Sequence, residues 1–554
     1  MNYTPFGGRV SKYDFSKLNE YKWEYILPAV AFITAFALRY YFLVTYSHPM
    51  MIHEQDAVGY MEAAKSILKM EFPTVSGRPP GYPVVIAIFT MLPVDLEYAA
   101  RLASIFMDAL IVLPLYTLAR LCLDRIPAFG ATLLWCFFPF SLIFTPSPLS
   151  QSSFLFYLLL GIVSLYHGLK YKKYCWLFSA GLAFALCFLT RPEGIVALGC
   201  GLLLCLLQLF VNGESRKKTV FLTVTFLTGF LLLAGPYFIA FHSELGYWGL
   251  TPKTEAALKT QDGTMILNSR GELEKTRAGV SVWKEYYGTL PVFFSSVRSN
   301  IKAYFMVFYN TFPLWMHIVS LIGMLTLLSR RKRGLLPYIL ILFAVTAPNY
   351  IVNVSKGHSY IYSVFPAVFI FFAACLESSA RVTELLIVNF RLSIRPLISQ
   401  VCLGSLILLA VACVSFGFYQ AADTNYRSPE SIQEVLITKN IYKEPAEIIK
   451  NNSDKSDVVM TRWGLVGYFA ERPVLSLPKG GCREVISYGR KNGASFMLID
   501  SVAVFSRRQE LMELLGPLEG KTVNPEYGIE LFSKQFFPGL GHGYVIYRYP
   551  PQRN

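Results

Sequence analysis

Charged residues are scarce in this chain. Only 16% of its 554 residues are Asp, Glu, Lys or Arg, whereas 54% are hydrophobic. Soluble globular domains carry about 25% charged residues, so this scarcity excludes an ordinary soluble protein. The composition instead predicts a polytopic membrane protein that is mainly α-helical.

The charges that remain are strongly unbalanced, with a formal net charge of +15. The basic residues occur in short clusters between apolar runs, where they set the topology and contact anionic lipid head groups. We therefore predict membrane lipids as partners and no nucleic-acid partner.

Paired cysteines, internal repeats and low-complexity segments are also lacking. The ten cysteines show no metal-ligand spacing, and all except Cys482 lie in or at the ends of apolar runs, so no disulfide framework is predicted. The N-terminal tail is polar for about two dozen residues before the first apolar run, unlike a cleavable signal peptide. We expect that tail to be cytoplasmic.

Apolar runs dominate what is present. A helix needs about 20 apolar residues to cross the hydrocarbon of a membrane. About 11 runs qualify, near residues 23–46, 97–121, 127–145, 151–169, 174–190, 194–211, 218–241, 300–328, 335–353, 360–376 and 398–420. The run 84–92 is too short to cross and is expected to be interfacial or re-entrant.

The distribution of Lys and Arg in short loops predicts the orientation. With the N-terminus inside, the inside loops contain basic clusters, whereas the outside short loops contain only Arg191 and Lys356. This distribution predicts an integral protein of the cytoplasmic (inner or plasma) membrane, with an odd number of crossings. The large loops 47–96 and 242–299 and the tail 421–554 then lie on the extracytoplasmic side.

The tail 421–554 has the pattern of a small extracytoplasmic α/β domain. Residues 457–461, 495–500 and 543–548 read as strands, and residues 482–492 and 506–515 read as helices. We therefore divide the chain into a transmembrane domain, residues 1–420, and a C-terminal domain, residues 421–554.

The unusual polar residues fall on one side of the membrane. They belong to three separate outer loops and are Asp56, Arg78, Arg191, Glu193, Lys356 and His358. Cations stabilise the charge that develops on a phosphate leaving group, and a carboxylate accepts the proton of an attacking hydroxyl. This combination favours chemistry on an anionic, lipid-linked substrate.

Each of these residues also has a structural interpretation. Asp56 is a suitable N-cap for a helix, and Arg78 is suited to anchoring at lipid head groups. Arg191 and Glu193 are suited to a loop ion pair. Asp108 lies inside an apolar helix, where an acid is normally paired, but the sequence names no partner for it.

Four short motifs carry a resemblance to a known family. They are Asp56-Ala-Val-Gly-Tyr60 with Ala63-Ala64, Arg78-Pro-Pro-Gly-Tyr-Pro83, Thr190-Arg-Pro-Glu-Gly194, and Lys356-Gly-His-Ser-Tyr360 with Pro366. In order and sidedness they resemble the polyprenyl-phosphate-sugar-dependent glycosyltransferases of the GT-C superfamily, which include the protein O-mannosyltransferases and the lipid A aminoarabinose transferase. The resemblance covers residues 23 to 376.

The resemblance implies a GT-C-like fold and a transfer reaction. The donor would be a polyprenyl-phosphate sugar, and the acceptor a hydroxyl group of a glycan, lipid or protein. Asp56 would be the catalytic base, and Arg78, Lys356 and Arg191 would bind the donor phosphate. The residues expected to contact substrate are Glu54, Tyr60, Tyr82, Glu193, His358 and Tyr360.

The chain departs from the family pattern at two acidic positions. Many members have Asp-Glu in the first loop, whereas here Ala57 follows Asp56 and the nearest acid is Glu54. The loop 145–151 contains no acid either. We therefore predict no metal and no other cofactor, with a divalent metal ion as the alternative.

Two other classes of function stay open from the sequence alone. A transporter or flippase of a lipid-linked or anionic substrate is the first, although transporters often show repeated halves and polar sites at the midplane of the membrane. A membrane receptor whose outer domain binds glycan is the second. Sugar transfer from a polyprenyl-phosphate donor separates both of them from the enzyme.

Overall fold

The structure of the chain is a computed structural model. It describes residues 15–46, 55–71, 78–211, 216–245, 248–250, 290–329, 333–351, 360–389, 435–478 and 480–550, and the single residues 404, 412 and 433. The predicted span 398–420 therefore lies outside the described residues apart from two positions. The predicted domain boundary at 420/421 lies outside them as well, and it stays a prediction.

Helices make up most of the described chain, which confirms the mainly α class. In the first half they are α1 (Phe15–Tyr46), α2 (Gln55–Leu68), α3 (Gly81–Phe89), α4 (Leu96–Leu110), α5 (Val112–Cys122), α6 (Arg125–Cys136), α7 (Pro139–Phe144), α8 (Gln151–Tyr171), α9 (Tyr174–Thr190), α10 (Gly194–Val211) and α11 (Arg216–Leu245). The second half of the membrane region contains α12 (Leu290–Thr311), α13 (Leu314–Ser329), α14 (Leu336–Ala344), α15 (Ala347–Ile351) and α16 (Phe365–Asn389).

Within the described residues, five helices are long and apolar enough to cross a membrane, or six if a bent pair is counted as one span. Three further apolar helices are shorter, between 10 and 17 residues. The chain is an integral membrane protein by this composition. The predicted number of about 11 crossings stays a prediction.

Several of the predicted spans are divided between two helices. The segment 300–328 is divided into α12 and α13, which meet at an angle of 104°. Pro313 lies between them, and proline cannot continue the backbone hydrogen bonds of a helix. The segment 127–145 is likewise divided, because α7 begins at Pro139 in the first helical position.

Polar side chains mark the two ends of the helical bundle. At one end Glu24 accepts hydrogen bonds from Tyr116 (3.0 Å) and Arg120 (2.9 Å), near the start of α1 and the end of α5. Asp124 and Arg381 form a second ion pair, of 2.8 Å, between the start of α6 and α16. The opposite end, where α1 ends and α4 and α8 begin, is called the site end below.

At the site end, α2 and α3 pack beneath the C-terminal domain. One continuous apolar cluster contains Ala57 and Met61 of α2, Ile86 of α3, and Leu465 and Val466 of the C-terminal domain. The ammonium group of Lys65 also lies 5.8 Å from the ring centre of Tyr468. The C-terminal domain therefore holds the helix that carries Asp56.

The C-terminal domain is a five-stranded sheet with helices, which confirms the predicted α/β class. Its elements are α17 (Glu444–Asn451), β1 (Val458–Thr461), α18 (Gly464–Ala470), β2 (Val474–Ser476), α19 (Cys482–Lys491), β3 (Ala494–Asp500), α20 (Ser501–Arg507), β4 (Glu530–Phe537) and β5 (His542–Arg548). The strand order is β2-β1-β3-β5-β4, with β1 parallel to β2 and β3 and with β5 antiparallel to its neighbours.

The three predicted strands and the predicted helix 482–492 are present, but the helix predicted at 506–515 begins elsewhere. The side chain of Asp500 accepts a hydrogen bond of 2.7 Å from the backbone of Ala503, which caps α20 and starts it at Ser501. A 3₁₀-helix, Gln509–Glu519, follows after a break at Arg508. The buried Arg508 donates to the carbonyl of Pro478 at 2.7 Å, so tertiary contacts determine this break.

Asp500 predicts a pH dependence for the stability of the C-terminal domain. Burial raises the pKa of its carboxyl group from 3.8 to about 6. The folded state then binds this proton more tightly than the unfolded state, so the free energy of unfolding falls as the pH rises from about 4 to 6. We expect Asp500→Asn, which keeps the cap, to stabilise the domain at pH 7.5 by up to roughly 3 kcal/mol.

Hydrogen exchange of the β3 and β5 amides in the full chain, followed by mass spectrometry from pH 4 to 7, measures this effect. Asp457→Asn, in the loop before β1, is the matched control, because that carboxylate is only partly buried and accepts a hydrogen bond from Ser495. An Asp500→Asn protein with the same pH dependence as the parent would contradict the assignment.

Candidate active site at one end of the helical bundle

The first part of the site is an ion pair between Asp56 and Arg78. Asp56 lies in the first turn of α2 and is about half exposed (53%), whereas the Arg78 side chain is 12% exposed. The guanidinium group donates a hydrogen bond to the carboxylate. Burial lowers the pKa of Arg78, but Tyr60 and Asp56 outweigh burial and raise it, so the side chain stays cationic.

Tyr60 connects this pair to the rest of the site. The guanidinium carbon of Arg78 lies 5.1 Å from the centre of the Tyr60 ring. The Tyr60 hydroxyl lies 2.9 Å from Ser150 Oγ, one residue before α8 begins. Tyr82 packs edge-on against Tyr60 at 5.1 Å, and it is fully buried with its hydroxyl 2.5 Å from Ser104 Oγ. Tyr82 therefore supports Tyr60 and presents no surface to a substrate.

Two glycines allow these groups to approach so closely. A Cβ atom on Gly81 would lie 2.6 Å from Thr190 Oγ1 and 2.7 Å from the carbonyl oxygen of Leu189. The Arg-Pro-Pro-Gly turn therefore rests directly on the end of α9, next to Arg191. A Cβ atom on Gly59 would lie 3.2 Å from Arg78 Nε, so α2 is also close to the arginine.

The second part of the site is the pair Arg191 and Glu193, between α9 and α10. Arg191 Nη2 donates to Glu193 Oε1 at 2.9 Å, and the two side chains are 16% and 12% exposed. The guanidinium carbon lies 5.6 Å from the centre of the Tyr360 ring. Burial lowers the pKa of Arg191, whereas Glu193 and, more weakly, Tyr60 raise it, and the net shift is upward.

A cavity opens beside Arg191 and Glu193. Its empty space is about 270 Å³, part of which is open to solvent, and Gln151, Asn349 and Tyr360 belong to its wall. A second cavity of about 280 Å³ shares Gln151 and Tyr362 with it. The two cavities therefore meet at the start of α8.

Beneath the cavities lies a buried polar network that the sequence did not predict. Arg39 forms an ion pair with Asp108, and both side chains are 0% exposed. Tyr362 donates to Asp108 Oδ1 at 2.6 Å, while Ser152 and Ser141 donate to the carboxylate at 3.0 and 2.8 Å. Arg39 is thus the missing partner of Asp108, and an arginine inside the apolar run of α1 was the available signal.

Three predicted site residues cannot be placed. Glu54, Lys356 and His358 lie outside the described residues. Of the predicted residues that are described, Arg78 contacts both Asp56 and Tyr60, and Arg191 contacts both Glu193 and Tyr360. The two groups are neighbours, because Gly81 of the Arg-Pro-Pro-Gly turn lies against Leu189 and Thr190, which directly precede Arg191.

The described residues do not fit a metal ion. No group of three His, Cys, Asp or Glu side chains among them is arranged to hold one. Asp56 and Glu193, the carboxylates of the site in this part of the chain, each pair with an arginine, which would repel a cation. The eight cysteines that the structure describes are free thiols, and none belongs to the site.

Comparison with known proteins adds the following. Residues 77–239 match the family described as dolichyl-phosphate-mannose-protein mannosyltransferase. No curated protein matches the chain significantly in sequence.

Solved structures match over most of the chain. ArnT from Cupriavidus metallidurans bound to undecaprenyl phosphate has a TM-score of 0.54 and 12% identity, covering 95% of this chain and 98% of that one. The archaeal oligosaccharyltransferase AglB from Archaeoglobus fulgidus, in complex with an inhibitory peptide and a dolichol-phosphate, has a TM-score of 0.54 and 12% identity, covering 95% and 74%. The Archaeoglobus oligosaccharyltransferase in complex with Zn and sulfate has a TM-score of 0.55 and 14% identity, covering 86% and 68%.

These proteins are GT-C enzymes, and the similarity extends over the helical bundle and beyond it. The resemblance inferred from the four loop motifs is confirmed, and the chain has the fold of the GT-C glycosyltransferases.

Proposed function

We propose that this protein is a membrane glycosyltransferase that moves a sugar from a polyprenyl-phosphate-linked donor to a hydroxyl acceptor. The transferred unit is a hexose or pentose, and the acceptor is a glycan, a lipid or a protein of the cell envelope. The observation that carries the proposal is the ion pair of Asp56 and Arg78, from the loop 47–96, next to Arg191, from the loop between α9 and α10, at one end of a GT-C fold.

The donor phosphate is assigned to the two arginines. The lipid tail enters between the helices, and the phosphate contacts Arg78 and Arg191, with Lys356 as a third predicted cation. Guanidinium groups bind phosphate oxygens through paired, charge-assisted hydrogen bonds. Because Arg78 is bonded to Asp56 without donor, phosphate binding frees the carboxylate for the reaction.

The reaction is a displacement at the anomeric carbon of the sugar. The acceptor oxygen forms a bond to this carbon while the bond from the carbon to the phosphate oxygen breaks and leaves its electron pair on the phosphate. Asp56 takes the proton of the acceptor hydroxyl, and the arginines stabilise the new phosphate charge. If this happens in one step, the configuration at the anomeric carbon is inverted.

The site end is assigned to the extracytoplasmic side and the N-terminus to the cytoplasm of the inner or plasma membrane. The C-terminal domain then lies outside and helps to position the acceptor. The packing of Leu465 and Val466 over α2 supports this assignment, because it keeps Asp56 in place.

The proposal is tested by comparing sugar transfer from the donor between the parent protein and the variant Arg78→Ala. In vesicles that contain the purified protein, polyprenyl-phosphate sugars and an envelope extract, we expect labelled sugar to reach an acceptor. The variant should lower kcat/KM for the donor by roughly 10- to 100-fold, because charge-assisted hydrogen bonds are lost. Lys69→Ala, an exposed cation at the end of the same loop helix, is the control and should keep parental activity.

Movement of the lipid-linked sugar across the vesicle membrane without transfer would instead identify a transporter. Glycan binding without transfer would identify a receptor. Either result would refute the enzyme.

A further proposal is that the reaction needs no divalent metal ion. The pairing of Asp56 and Glu193 with arginines supports it. We expect transfer to continue at the same rate in excess EDTA, and added Mn²⁺ or Mg²⁺ to leave it unchanged. A loss of transfer in EDTA that Mn²⁺ restores would show that a metal site forms with residues such as Glu54.

A further inference from the structure

Arg78, the arginine assigned to the donor phosphate, rests on the ring of Tyr60. Its guanidinium carbon lies 5.1 Å from the ring centre, and the same group donates a hydrogen bond to Asp56. The proposed binding of phosphate opens the pair with Asp56. The cation–π contact with Tyr60 can then hold the guanidinium group in place. The position of the Tyr60 ring therefore sets where Arg78 meets the donor.

Tyr60 is itself fixed from two sides. Tyr82 packs edge-on against its ring at 5.1 Å, and the Tyr82 hydroxyl donates to the carbonyl of Ala100 in α4 at 3.1 Å. The Tyr60 hydroxyl shares a hydrogen bond of 2.9 Å with Ser150 Oγ. Only 6% of Tyr60 is exposed. The residue therefore offers almost no surface to a substrate, and its route to the reaction is Arg78.

Ser150 belongs to a loop, residues 145–150, that is anchored near both ends. At its far end the carbonyl of Ser150 accepts the first backbone hydrogen bond of α8, from Phe154 at 3.0 Å. At its near end the carbonyl of Pro146 accepts a hydrogen bond of 3.0 Å from Arg101. Arg101 is buried and also bonded to Glu97 at 2.9 Å. The hydroxyl of Ser150 is therefore a fixed point to which Tyr60 is tied.

We propose that Ser150 is a positioning residue for donor binding: its hydroxyl fixes Tyr60, and the ring of Tyr60 fixes Arg78 for the phosphate. The inference rests on the proposed function and adds to it a residue that does not touch the substrate, because Ser150 is 1% exposed. Two buried hydroxyls that satisfy each other also have a structural role. Positioning changes the affinity for the donor, whereas a structural role changes the amount of folded protein.

Ser150→Ala separates these roles in the vesicle transfer assay. We expect KM for the donor to rise about threefold to tenfold, as for the loss of one hydrogen bond, and the protein to keep its parental thermal unfolding. Ser153→Ala is the control, because this buried hydroxyl on α8 bonds to no described residue, and it should keep the parental KM. A lower kcat at an unchanged donor KM would show a structural role and overturn the inference.

Combination with Arg78→Ala tests the route of the effect. In that background Ser150→Ala should raise KM no further, because the guanidinium group that it positions is gone. Tyr60→Phe keeps the ring and removes the hydroxyl, so it should reproduce Ser150→Ala, and the variant with both changes should be no worse than either. A further threefold rise of KM in the Arg78→Ala background would show that Ser150 acts by another route, and it would overturn the inference.

The outcomes also separate the inference from the proposed function. Sugar transfer that falls in Arg78→Ala but keeps its donor KM in Ser150→Ala would overturn the inference and leave the proposed function standing. If the parent protein transfers no sugar from any polyprenyl-phosphate donor, the proposed function and the inference both fail.

Discussion

Replacing Asp56 by Asn is expected to lower the turnover of glycosyl transfer by a factor of about 10² to 10⁴, the usual contribution of a general base. The amide cannot accept the proton of the acceptor hydroxyl, although it has nearly the shape of the carboxylate. Arg78 loses its ionic partner in this variant and stays available to the donor phosphate. KM for the donor should therefore stay the same or fall while kcat collapses.

Steady-state transfer of labelled sugar in vesicles measures both constants. The matched control is Asp95→Asn, at another acid of the same loop, whose side chain caps α4 by accepting from Tyr98 N at 2.9 Å. Asn caps a helix as well as Asp does, so this variant should behave like the parent. If Asp56→Asn keeps more than about a tenth of the parental kcat, a general base at this position is excluded.

The second large effect is expected from the buried pair of Arg39 and Asp108. Removing one partner, as in Arg39→Met or Asp108→Leu, leaves an uncompensated charge among apolar helices. Such a loss typically costs about 3–5 kcal/mol. Because Asp108 also holds Tyr362, which lines both cavities, Asp108→Leu should lower the transfer rate together with the stability.

The double variant Arg39→Met/Asp108→Leu separates charge from shape. With both charges removed, most of the lost stability should return, since apolar replacements of buried ion pairs are often neutral. Thermal unfolding of each variant in detergent measures the stability that is lost or regained. Asp124→Asn removes the exposed pair with Arg381 and is the control, expected to cost no more than about 1 kcal/mol. A double variant as unstable as the single ones would show that the network acts through its hydrogen bonds instead.

The sequence predicted the elements of the fold more reliably than their continuity. Hydropathy placed both ends of α8, α9 and α10 to within two residues, because a length of apolar residues is a local property. It did not show that α12 and α13 meet at 104°, since an apolar composition continues through Pro313. The edge strand β4 was missed as well, because its residues are largely exposed and show no clear alternation.

The sequence predicted which residues belong to the candidate site, but not which of them contact one another. The motifs indicated Asp56, Arg78, Arg191 and Glu193 as polar groups on one side of the membrane. They did not show that Arg78 bonds to the proposed base, nor that Tyr60 connects the arginine to α8. Gln151, which lines both cavities, was overlooked because only acids were sought in its loop.

Composition and hydropathy determined by themselves that this chain is a helical membrane protein, and the order of the loop motifs indicated the GT-C fold, because these properties depend on residues close together in the chain. Only the tertiary structure decided which charges neutralise one another. Asp108 meets Arg39 from 69 positions away and Tyr362 from 254. In a medium that excludes water, each buried charge must find such a partner, and the packing of the helices selects it.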